Sequence, residues 1–263
     1  MTDGKRTTGR RAPRGAAPPD PGEKDFLAAY DAARFPRPSV AVDVAAMTTG
    51  EGALHALLVR RAEHPHRGRW ALAGGFVRME ESLDAAAARV LAAKAGLRGI
   101  FLEQLYTFGA PDRDPRARIL SVAYYALVDA ARLRAAASAA AGVALARIRT
   151  PWKGEAGGPV QALAPDGTPL PLAFDHAAIL GTVVRRLRGK LDYSPVGFQL
   201  LPGRFTLRQL QEVHEAVLGR GLNKDSFRRS VLARGLVAPT GEAERDVPYR
   251  PAALYGYAKP RDA

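Results

Sequence analysis

The segment from Gly75 to Leu97 has the spacing of a phosphate-site motif but lacks most of the carboxylates that such a motif needs. Gly75, Glu81, Arg89 and Gly96 fit the pattern G-x5-E-x7-R-x6-G-[LIV]. Metal-assisted chemistry on a pyrophosphate requires several carboxylates on one helical face, because residues three and four apart converge there and Mg²⁺ takes oxygen ligands. The positions concerned carry Val90, Ala93 and Lys94 instead. An ammonium group repels Mg²⁺, so we expect a site that binds phosphate without a metal.

This segment resembles the box of the Nudix family, G-x5-E-x7-R-E-U-x-E-E-x-G-U, in which U is an aliphatic residue. It is preceded by Trp70-Ala71-Leu72-Ala73-Gly74-Gly75, which is similar to the W-x-L-P-G-G segment that leads into the family's box. The resemblance implies an α/β/α sandwich. Because a single carboxylate position does not fix a multi-ion site, we predict a binding protein without a cofactor rather than an enzyme. The alternative is an ADP-ribose or nucleotide-sugar pyrophosphatase whose displaced ligands come from Glu80, Glu81, Asp112 or Asp114.

The middle of the segment, Ser82 to Ala95, is expected to be a helix. Ser82 is a favourable N-cap, and Gly96 suits the left-handed residue that ends a helix. We expect the Lys94 ammonium group to replace the metal as a built-in cation, pairing with Glu81 in the empty site and with phosphate oxygens in the loaded site. The alternative is that this side chain only extends into solvent from an inactive helix. Lys94 shares its arc with Leu83, Ala87, Val90 and Leu91.

Short apolar runs predict strands on both sides of this helix. A strand, helix, strand, strand order without long βα repeats favours an α/β/α sandwich over a doubly wound sheet. The alanine-rich segment from Ala130 to Val143 suits either a helix or a loop. The predicted strands are Ser39 to Met47, Leu54 to Arg61, Phe101 to Thr107 and Ile119 to Val128, with a turn at residues 48–52.

The loop from Tyr106 to Arg116 resembles the phosphoribose-side loop of ADP-ribose-type Nudix proteins. Arg113, Arg116 and Arg118 are suited to clamp a pyrophosphate, and Phe108 or Tyr106 is suited to stack on a base. A surface turn with internally paired charges is the alternative. The residues predicted to bind an effector are Gly74, Gly75, Phe76, Glu81, Lys94, Phe108, Arg113 and Arg116.

The chain changes character after Phe174. A helix is expected from His176 to Leu187, capped by Asp175 and followed by basic residues that suit the helix dipole. The run Tyr193-Ser194-Pro195-Val196-Gly197 then predicts a domain boundary. We expect an α+β protein: a disordered basic arm over residues 1–24, a Nudix-like effector-binding domain over 25–192, and a winged helix-turn-helix domain over 193–263.

The C-terminal segment has the element order of a winged helix. Thr206 begins a T-x-x-Q capping box that opens a first helix, and Gly219-Arg220-Gly221 supplies the following turn. Asn223 can cap a second helix. Leu236 to Tyr257 is expected to form two strands around a polar tip at residues 240–248. In this order the second helix enters the DNA major groove.

A helical wheel of the second helix separates packed arginines from candidate DNA contacts. With Phe227 at zero and about 100° per residue, Val231 lies at about 40° and Leu232 at about 140°. Arg228, at about 100°, therefore lies within the predicted buried arc and is expected mainly as a packed, paired or phosphate-reaching side chain. Arg229 and Ser226 point away and are expected at base edges, with Asn223 and Lys224 on phosphates. The residues predicted to contact DNA are Thr206, Arg208, Asn223, Lys224, Ser226, Arg229 and Arg250; solvated charges on a small helical hairpin are the alternative.

The composition suits a polyanionic partner. Lys and Arg total 39 against 26 Asp and Glu, which gives a formal net charge of +13 and favours nucleic acid. A general basic bias of the chain is the alternative. The absence of cysteine excludes disulfides, thiolate zinc sites and a cysteine nucleophile. No apolar run approaches membrane-spanning length and the start lacks the core of a secretory signal, so we expect a cytoplasmic protein without a membrane partner.

Both halves together resemble the Nudix-related transcriptional regulators, which join a Nudix-like effector domain to a C-terminal winged helix. The resemblance implies repression of NAD biosynthesis or related genes, release from a palindromic operator when ADP-ribose or a similar nucleotide binds, and homodimerisation through the Nudix domain. A regulator of sugar catabolism is a further alternative within the same family. The markers in the second half are Asp192-Tyr193-Ser194-Pro195-Val196-Gly197-Phe198, Phe227-Arg228-Arg229 and Arg250-Pro251-Ala252-Ala253-Leu254-Tyr255.

Overall fold

The computed structural model describes residues 21–191, 194–245, 248 and 250–258. The chain divides into two compact units, residues 1–37 and 38–263. In the first unit, helix α1 (Pro21–Ala29) is followed by a 3-10 turn at Ala32–Arg34. The Asp31 side chain caps this turn by accepting a hydrogen bond from the Ala33 amide at 2.9 Å. The predicted basic arm lies outside the described residues except for residues 21–24, which are helical.

The second unit is built on one mixed sheet. Its strands are β1 (Ser39–Gly50), β2 (Ala53–Arg60), β3 (Trp70–Ala71), β4 (Ala73–Phe76), β5 (Glu103–Phe108), β6 (Ile119–Leu127), β7 (Val143–Arg149), β8 (Gln161–Leu163) and β9 (Pro169–Leu170). The order across the sheet is β5-β6-β1-β2-β7-β8-β9, with β3 beside β2 and β4 beside β1. Strands β1 and β6 run parallel. The central strand β1 is buried on both faces, as its nearly continuous apolar run requires.

Helices cover both faces of this sheet. Helices α2 (Leu83–Ala95) and α3 (Ala130–Ala139) pack on one face, where Leu91 and Leu133 meet Val44. Helix α4 (His176–Lys190) packs on the other face, where Ile179 meets Met47. The predicted α/β/α sandwich is therefore confirmed, and the alanine-rich segment left open between helix and loop contains a helix.

The two predicted helix starts in this unit differ in how they are capped. The Ser82 hydroxyl accepts a hydrogen bond from the Ala85 amide at 3.2 Å, and Gly96 ends α2 at φ 66°. Asp175 stands at the N-cap position of α4 but makes no capping hydrogen bond. Its carboxylate instead binds Arg113, so a long-range ion pair replaces the local cap that the sequence suggested.

The C-terminal part forms the predicted winged helix. Its elements are α5 (Leu207–Leu218), α6 (Lys224–Ala233), β10 (Val237–Ala243) and β11 (Ala253–Tyr257), with the two strands antiparallel. Thr206 and Gln209 form the complete capping box. Phe205, Leu210, Val231 and Val237 make a small core of their own. Strand β10 continues into the segment expected to be a polar tip, of which residues 246–247 lie outside the described residues.

The winged helix also shares a core with the sandwich. Val213 and Val217 of α5 belong to the same buried cluster as Met47, Leu54 and Ile179. Helix α5 therefore has two packed sides, one against the α6 core and one against the sheet. None of the described helices combines the length and the apolar character needed to cross a membrane.

Candidate functional site: a basic cleft and a helix-turn-helix

A cleft of about 490 Å³ opens where β1, β4 and the start of α4 meet. Its walls combine basic side chains with two aromatic rings. The lining includes Asp43, Arg61, Gly74, Gly75, Phe76, Lys94, Arg113, Asp114, Arg116, Phe174 and His176. This size and mixture suit a nucleotide-sized anionic ligand.

The floor of the cleft is a buried polar network around Asp43, which is 7% exposed. The Ser121 hydroxyl donates to Asp43 Oδ2 at 2.5 Å. The Leu72 amide donates to Nδ1 of His176 at 2.9 Å, while His176 Nε2 lies 3.5 Å from Asp43 Oδ1. Because Nδ1 accepts a hydrogen bond and burial lowers the pKa of His176, the ring is neutral and carries its proton on Nε2.

Gly74 is required for this floor. A Cβ atom at this position would stand 2.1 Å from Asp43 Oδ1. Gly74, the first residue of the Gly74-Gly75 pair, therefore lets the Asp43 carboxylate approach the backbone of β4.

Two arginines on the wall are held by internal carboxylates. Arg113, whose side chain is 4% exposed, donates to both oxygens of Asp175 at 2.9 and 2.6 Å. Burial opposes its charge, but the bonds to Asp175 raise the pKa of Arg113 overall. Arg116 donates to both oxygens of Asp114 at 3.0 and 2.7 Å and lies 5.4 Å from the Phe76 ring centroid. Both arginines therefore line the cleft, and each is also paired with a carboxylate of this chain.

Arg61 and Lys94 complete the basic lining. The Arg61 guanidinium lies 4.8 Å from the Phe174 ring centroid and donates to the Pro65 carbonyl at 2.7 Å. Desolvation, followed by the charge of Arg116, lowers the pKa of Arg61. Desolvation of its ammonium group, followed by the charge of Arg61, likewise lowers the pKa of Lys94, although much of the residue is exposed.

Glu81 is held away from Lys94. Arg89 donates to Glu81 at 2.8 and 2.5 Å and to the Phe76 carbonyl at 3.0 Å. These bonds lower the pKa of Glu81 to about 2. The expected Glu81–Lys94 pair is therefore replaced by a Glu81–Arg89 pair that braces the turn before α2, and Glu81 does not line the cleft.

The residues at the degenerate positions do not fit the divalent metal that the Nudix fold implies. Val90 is buried with a methyl 3.0 Å from where a Gly75 Cβ would stand, Ala93 is exposed, and Lys94 lines the cleft. Among the described residues there is no group of three or more His, Asp or Glu side chains that could hold a metal ion. Glu81, which could have contributed one oxygen pair, is already bound by Arg89.

The remaining predicted effector residues divide clearly. Gly74, Gly75 and Phe76 line the cleft, whereas Phe108 packs against the core on the α4 face. Sequence reasoning missed several lining residues, among them Asp43, Arg61, Phe174 and His176. A usable signal existed only for Asp43, the single acid within the apolar run Val40-Ala41-Val42-Asp43-Val44-Ala45-Ala46.

In the winged helix, α6 presents a polar outer face. Lys224, Ser226 and Arg229 are exposed, and Asn223 accepts from the Ser226 amide at 3.0 Å as the cap. The expectation that Arg228 packs is wrong, since this side chain is exposed. Leu232, which the wheel placed in the buried arc, is 42% exposed. The true buried arc is narrower and leaves Arg228 outside it.

The other predicted DNA residues lie at the start of α5 and just before strand β11. Thr206 is buried and its hydroxyl accepts from the Gln209 amide at 3.1 Å. Arg208 is exposed and donates to Glu212, one turn further, at 2.8 Å. Arg250 is exposed just before β11.

Comparisons with known proteins agree with both halves. Residues 37–144 match the NUDIX domain and residues 197–257 match the NrtR DNA-binding winged helix domain. The chain is 35% identical over 238 residues to the "ADPR responsive transcriptional repressor NtrR" of Acinetobacter baylyi, covering 90% of this chain and 88% of that protein. It is similar to the crystal structure of Shewanella oneidensis NrtR complexed with a 27mer DNA, with a TM-score of 0.67, 32% identity, and coverage of 83% of this chain and 93% of that chain.

A shorter similarity involves an enzyme. The ADP-ribose pyrophosphatase of Methanocaldococcus jannaschii is 34% identical over 79 residues, which cover 30% of this chain and 47% of that protein. The full-length similarity and the winged helix decide the assignment. The chain belongs to the NrtR family of transcriptional regulators, in which a NUDIX domain is joined to a DNA-binding winged helix.

Proposed function

We propose that this protein is a repressor of NAD biosynthesis or related genes, whose Nudix domain binds ADP-ribose or a similar nucleotide and thereby releases DNA. One observation carries the proposal: a basic cleft without a set of metal ligands shares its chain with an exposed helix-turn-helix. The names of the two full-length relatives support DNA binding and a response to ADP-ribose.

The cleft is suited to bind a pyrophosphate without catalysing its hydrolysis. Lys94, Arg61, Arg113 and Arg116 supply fixed positive charges where a hydrolase would place metal ions. Phe76 and Phe174 offer apolar faces for a base or a sugar ring. Glu81 contributes indirectly, because its pair with Arg89 supports the turn that carries Phe76.

The winged helix is suited to read DNA with α6. Arg229 and Ser226 are proposed at base edges, with Asn223 and Lys224 on phosphates. Arg208 and Arg250 are exposed and are proposed as phosphate contacts. Thr206 would act through its capping hydrogen bond, which fixes the start of α5. A homodimer formed through the Nudix domain would present two such surfaces to a palindromic operator.

Fluorescence anisotropy with a palindromic duplex from the protein's own promoter region tests the proposal. Binding should weaken steeply as salt rises, because phosphate contacts release counterions. ADP-ribose should release the duplex equally well with Mg²⁺ and with excess EDTA, whereas ribose 5-phosphate, the matched control, should not. No preference over random DNA would refute the repressor function, and release that requires Mg²⁺ would refute the metal-free cleft.

A second candidate function is pyrophosphate hydrolysis, which the similarity to the M. jannaschii enzyme favours. Its ligands would have to come from Glu80, Glu81, Asp112 or Asp114. Two of these carboxylates are bound by arginines, since Glu81 pairs with Arg89 and Asp114 with Arg116. Assays for AMP production from ADP-ribose with Mg²⁺ or Mn²⁺ decide between the functions, and turnover above a boiled control would establish the enzyme.

A further inference from the structure

Helix α4 touches both the cleft and the winged helix. Its first residue, His176, belongs to the polar floor of the cleft, and the preceding Asp175 holds Arg113. Near its other end, Arg188 reaches α5. Helix α4 has 15 residues, so its two ends lie roughly 20 Å apart at about 1.5 Å per residue. A short helix of this kind moves as one body.

Arg188 is an unusual side chain because it is 6% exposed and it donates hydrogen bonds to three neutral acceptors. Its Nε donates to the Val217 carbonyl at 2.9 Å, one terminal nitrogen donates to the Gly154 carbonyl at 2.7 Å, and the other donates to the Thr150 hydroxyl at 3.2 Å. The guanidinium also lies 4.8 Å from the Trp152 ring centroid. Burying this charge costs free energy, which is why desolvation lowers the pKa of Arg188. The three oriented acceptors and the ring offset that cost only in this geometry.

The contact falls at a sensitive position of the helix-turn-helix. The last carbonyls of a helix lack partners within the helix, and Arg188 binds one of them at the end of α5. A Cβ on Gly219, the residue that ends α5 at φ 69°, would stand 3.1 Å from Arg188. Glu215 then ties the turn by accepting from the Leu222 amide at 2.7 Å, directly before the Asn223 cap of α6. The direction of α6 is thus set from the end of α5 that Arg188 holds.

The cleft end of α4 is equally defined. The Arg113 guanidinium donates two hydrogen bonds to Asp175 and lies 3.6 Å from Asp43. A phosphate group in the cleft competes with Asp175 for these donors. Asp175 stands at the N-cap position of α4 and its side chain makes no capping hydrogen bond, so the carboxylate that a phosphate ligand displaces lies directly at the start of this helix.

We propose that Arg188 is the positioning residue that couples the cleft to the recognition helix, with α4 as the rigid connection between them. This inference rests on the proposed function, because it names the path by which an effector acts on DNA binding. Its measurable content is a coupling factor: the dissociation constant of ADP-ribose for the operator complex divided by that for the free protein.

The test is calorimetric titration of ADP-ribose into free protein and into protein saturated with operator duplex. Wild type should show a factor of about 5 to 150, the usual range for coupled sites. Arg188→Gln should bring the factor close to one while ADP-ribose still binds the free protein with unchanged affinity. The matched control is Arg186→Gln on the same helix, because Arg186 donates to the Leu105 carbonyl within the sandwich at 3.0 Å. The control should keep the wild-type factor.

The outcomes separate the two proposals. A wild-type factor of one removes the proposed effector function and this inference with it. A wild-type factor retained by Arg188→Gln, or lost equally by Arg186→Gln, overturns only the inference. If circular dichroism shows that Arg188→Gln does not fold, Trp152→Leu decides, because it removes the ring beneath the guanidinium and leaves Arg188 in place. Trp152→Leu should lower the coupling factor, and an unchanged factor overturns the inference.

Discussion

Gly74→Ala should be strongly destabilising, although it adds a single methyl group in a strand. The new Cβ would lie 2.1 Å from Asp43 Oδ1, 3.2 Å from Asp43 Cγ and 3.3 Å from the Val42 carbonyl oxygen. The first of these distances is far inside van der Waals contact, so the Asp43 carboxylate must move. Asp43 is buried, and moving it breaks the 2.5 Å hydrogen bond from Ser121.

The expected loss is the sum of two effects. Forcing a methyl group into a packed site costs about 1 to 3 kcal/mol, and losing a hydrogen bond to a charged group costs about 1.5 to 3 kcal/mol. The free energy of unfolding should therefore fall by about 2.5 to 6 kcal/mol, which corresponds to a decrease of about 5 to 24 °C in Tm at about 2 to 4 °C per kcal/mol. ADP-ribose binding should weaken as well, because Asp43 lines the cleft.

Urea denaturation followed by tryptophan fluorescence measures this loss, since both tryptophans, Trp70 and Trp152, belong to the sandwich part. Gly203→Ala is the matched control, because a Cβ there meets no atom within 4 Å. In an Asp43→Ala background the cost of Gly74→Ala should shrink, since the clashing carboxylate is gone. Equal stabilities of Gly74→Ala and Gly203→Ala would refute the reasoning, as would an unchanged cost without Asp43.

The remaining predictions concern the DNA-facing residues of α6, the Lys94 ammonium group as a built-in cation, and the Glu81–Arg89 ion pair. Arg229→Ala should reduce discrimination between operator and random DNA by about 1 to 3 kcal/mol, which fluorescence anisotropy checks. Arg228→Ala should leave Tm unchanged in thermal melts, because the Arg228 side chain is exposed. Lys94→Ala should weaken ADP-ribose in calorimetry with or without EDTA while apo DNA binding persists, and equal affinity would end the built-in-cation proposal. The Glu81–Arg89 pair should stabilise the protein at pH values above 4.5, the ordinary pKa of Glu, and should lose this effect as the pH falls through about 2, because folding lowers the pKa of Glu81. The difference in Tm between wild type and Arg89→Met, followed across this pH range, measures the contribution of the pair. A difference that persists below about pH 2 would contradict the prediction.

Local signals predicted the elements that carry the cleft and the DNA surface. The Ser82 cap, the Gly96 end of α2 and the Thr206 capping box are encoded within a few neighbouring residues, and each was found as expected. The cleft floor is encoded differently, because Leu72 and His176 are 104 residues apart in the chain. No window of sequence contains both partners, so their meeting depends on the sheet and α4 together.

The error at Arg228 has a similar cause. The wheel assumed that every apolar residue of α6 is buried, but a helix in a small domain has only a narrow contact with its core. Val231 is buried and Leu232 is 42% exposed, so the arc that packs is centred between Phe227 and Val231. A distant partner also explains why Asp175 does not cap α4. Its carboxylate binds the Arg113 guanidinium, because a hydrogen bond to a charged donor is stronger than one to a backbone amide.

The charges of the cleft explain why a lysine at a former carboxylate position suits a binding protein. Arg113 and Arg116 are each matched by an internal carboxylate. Among the ion pairs of the described residues, Arg61 and Lys94 have no such match. Desolvation and a neighbouring arginine lower the pKa of each group, while the carboxylates of Asp43 and Glu63 act in the opposite direction. The cleft lining therefore has an excess of positive charge, with five Arg and Lys side chains against three Asp and Glu side chains. It lies in a partly desolvated space, where electrostatic interactions are stronger than in water. A pyrophosphate supplies the missing negative charge directly, so the site gains from an anion what a hydrolase of the same fold gains from metal ions.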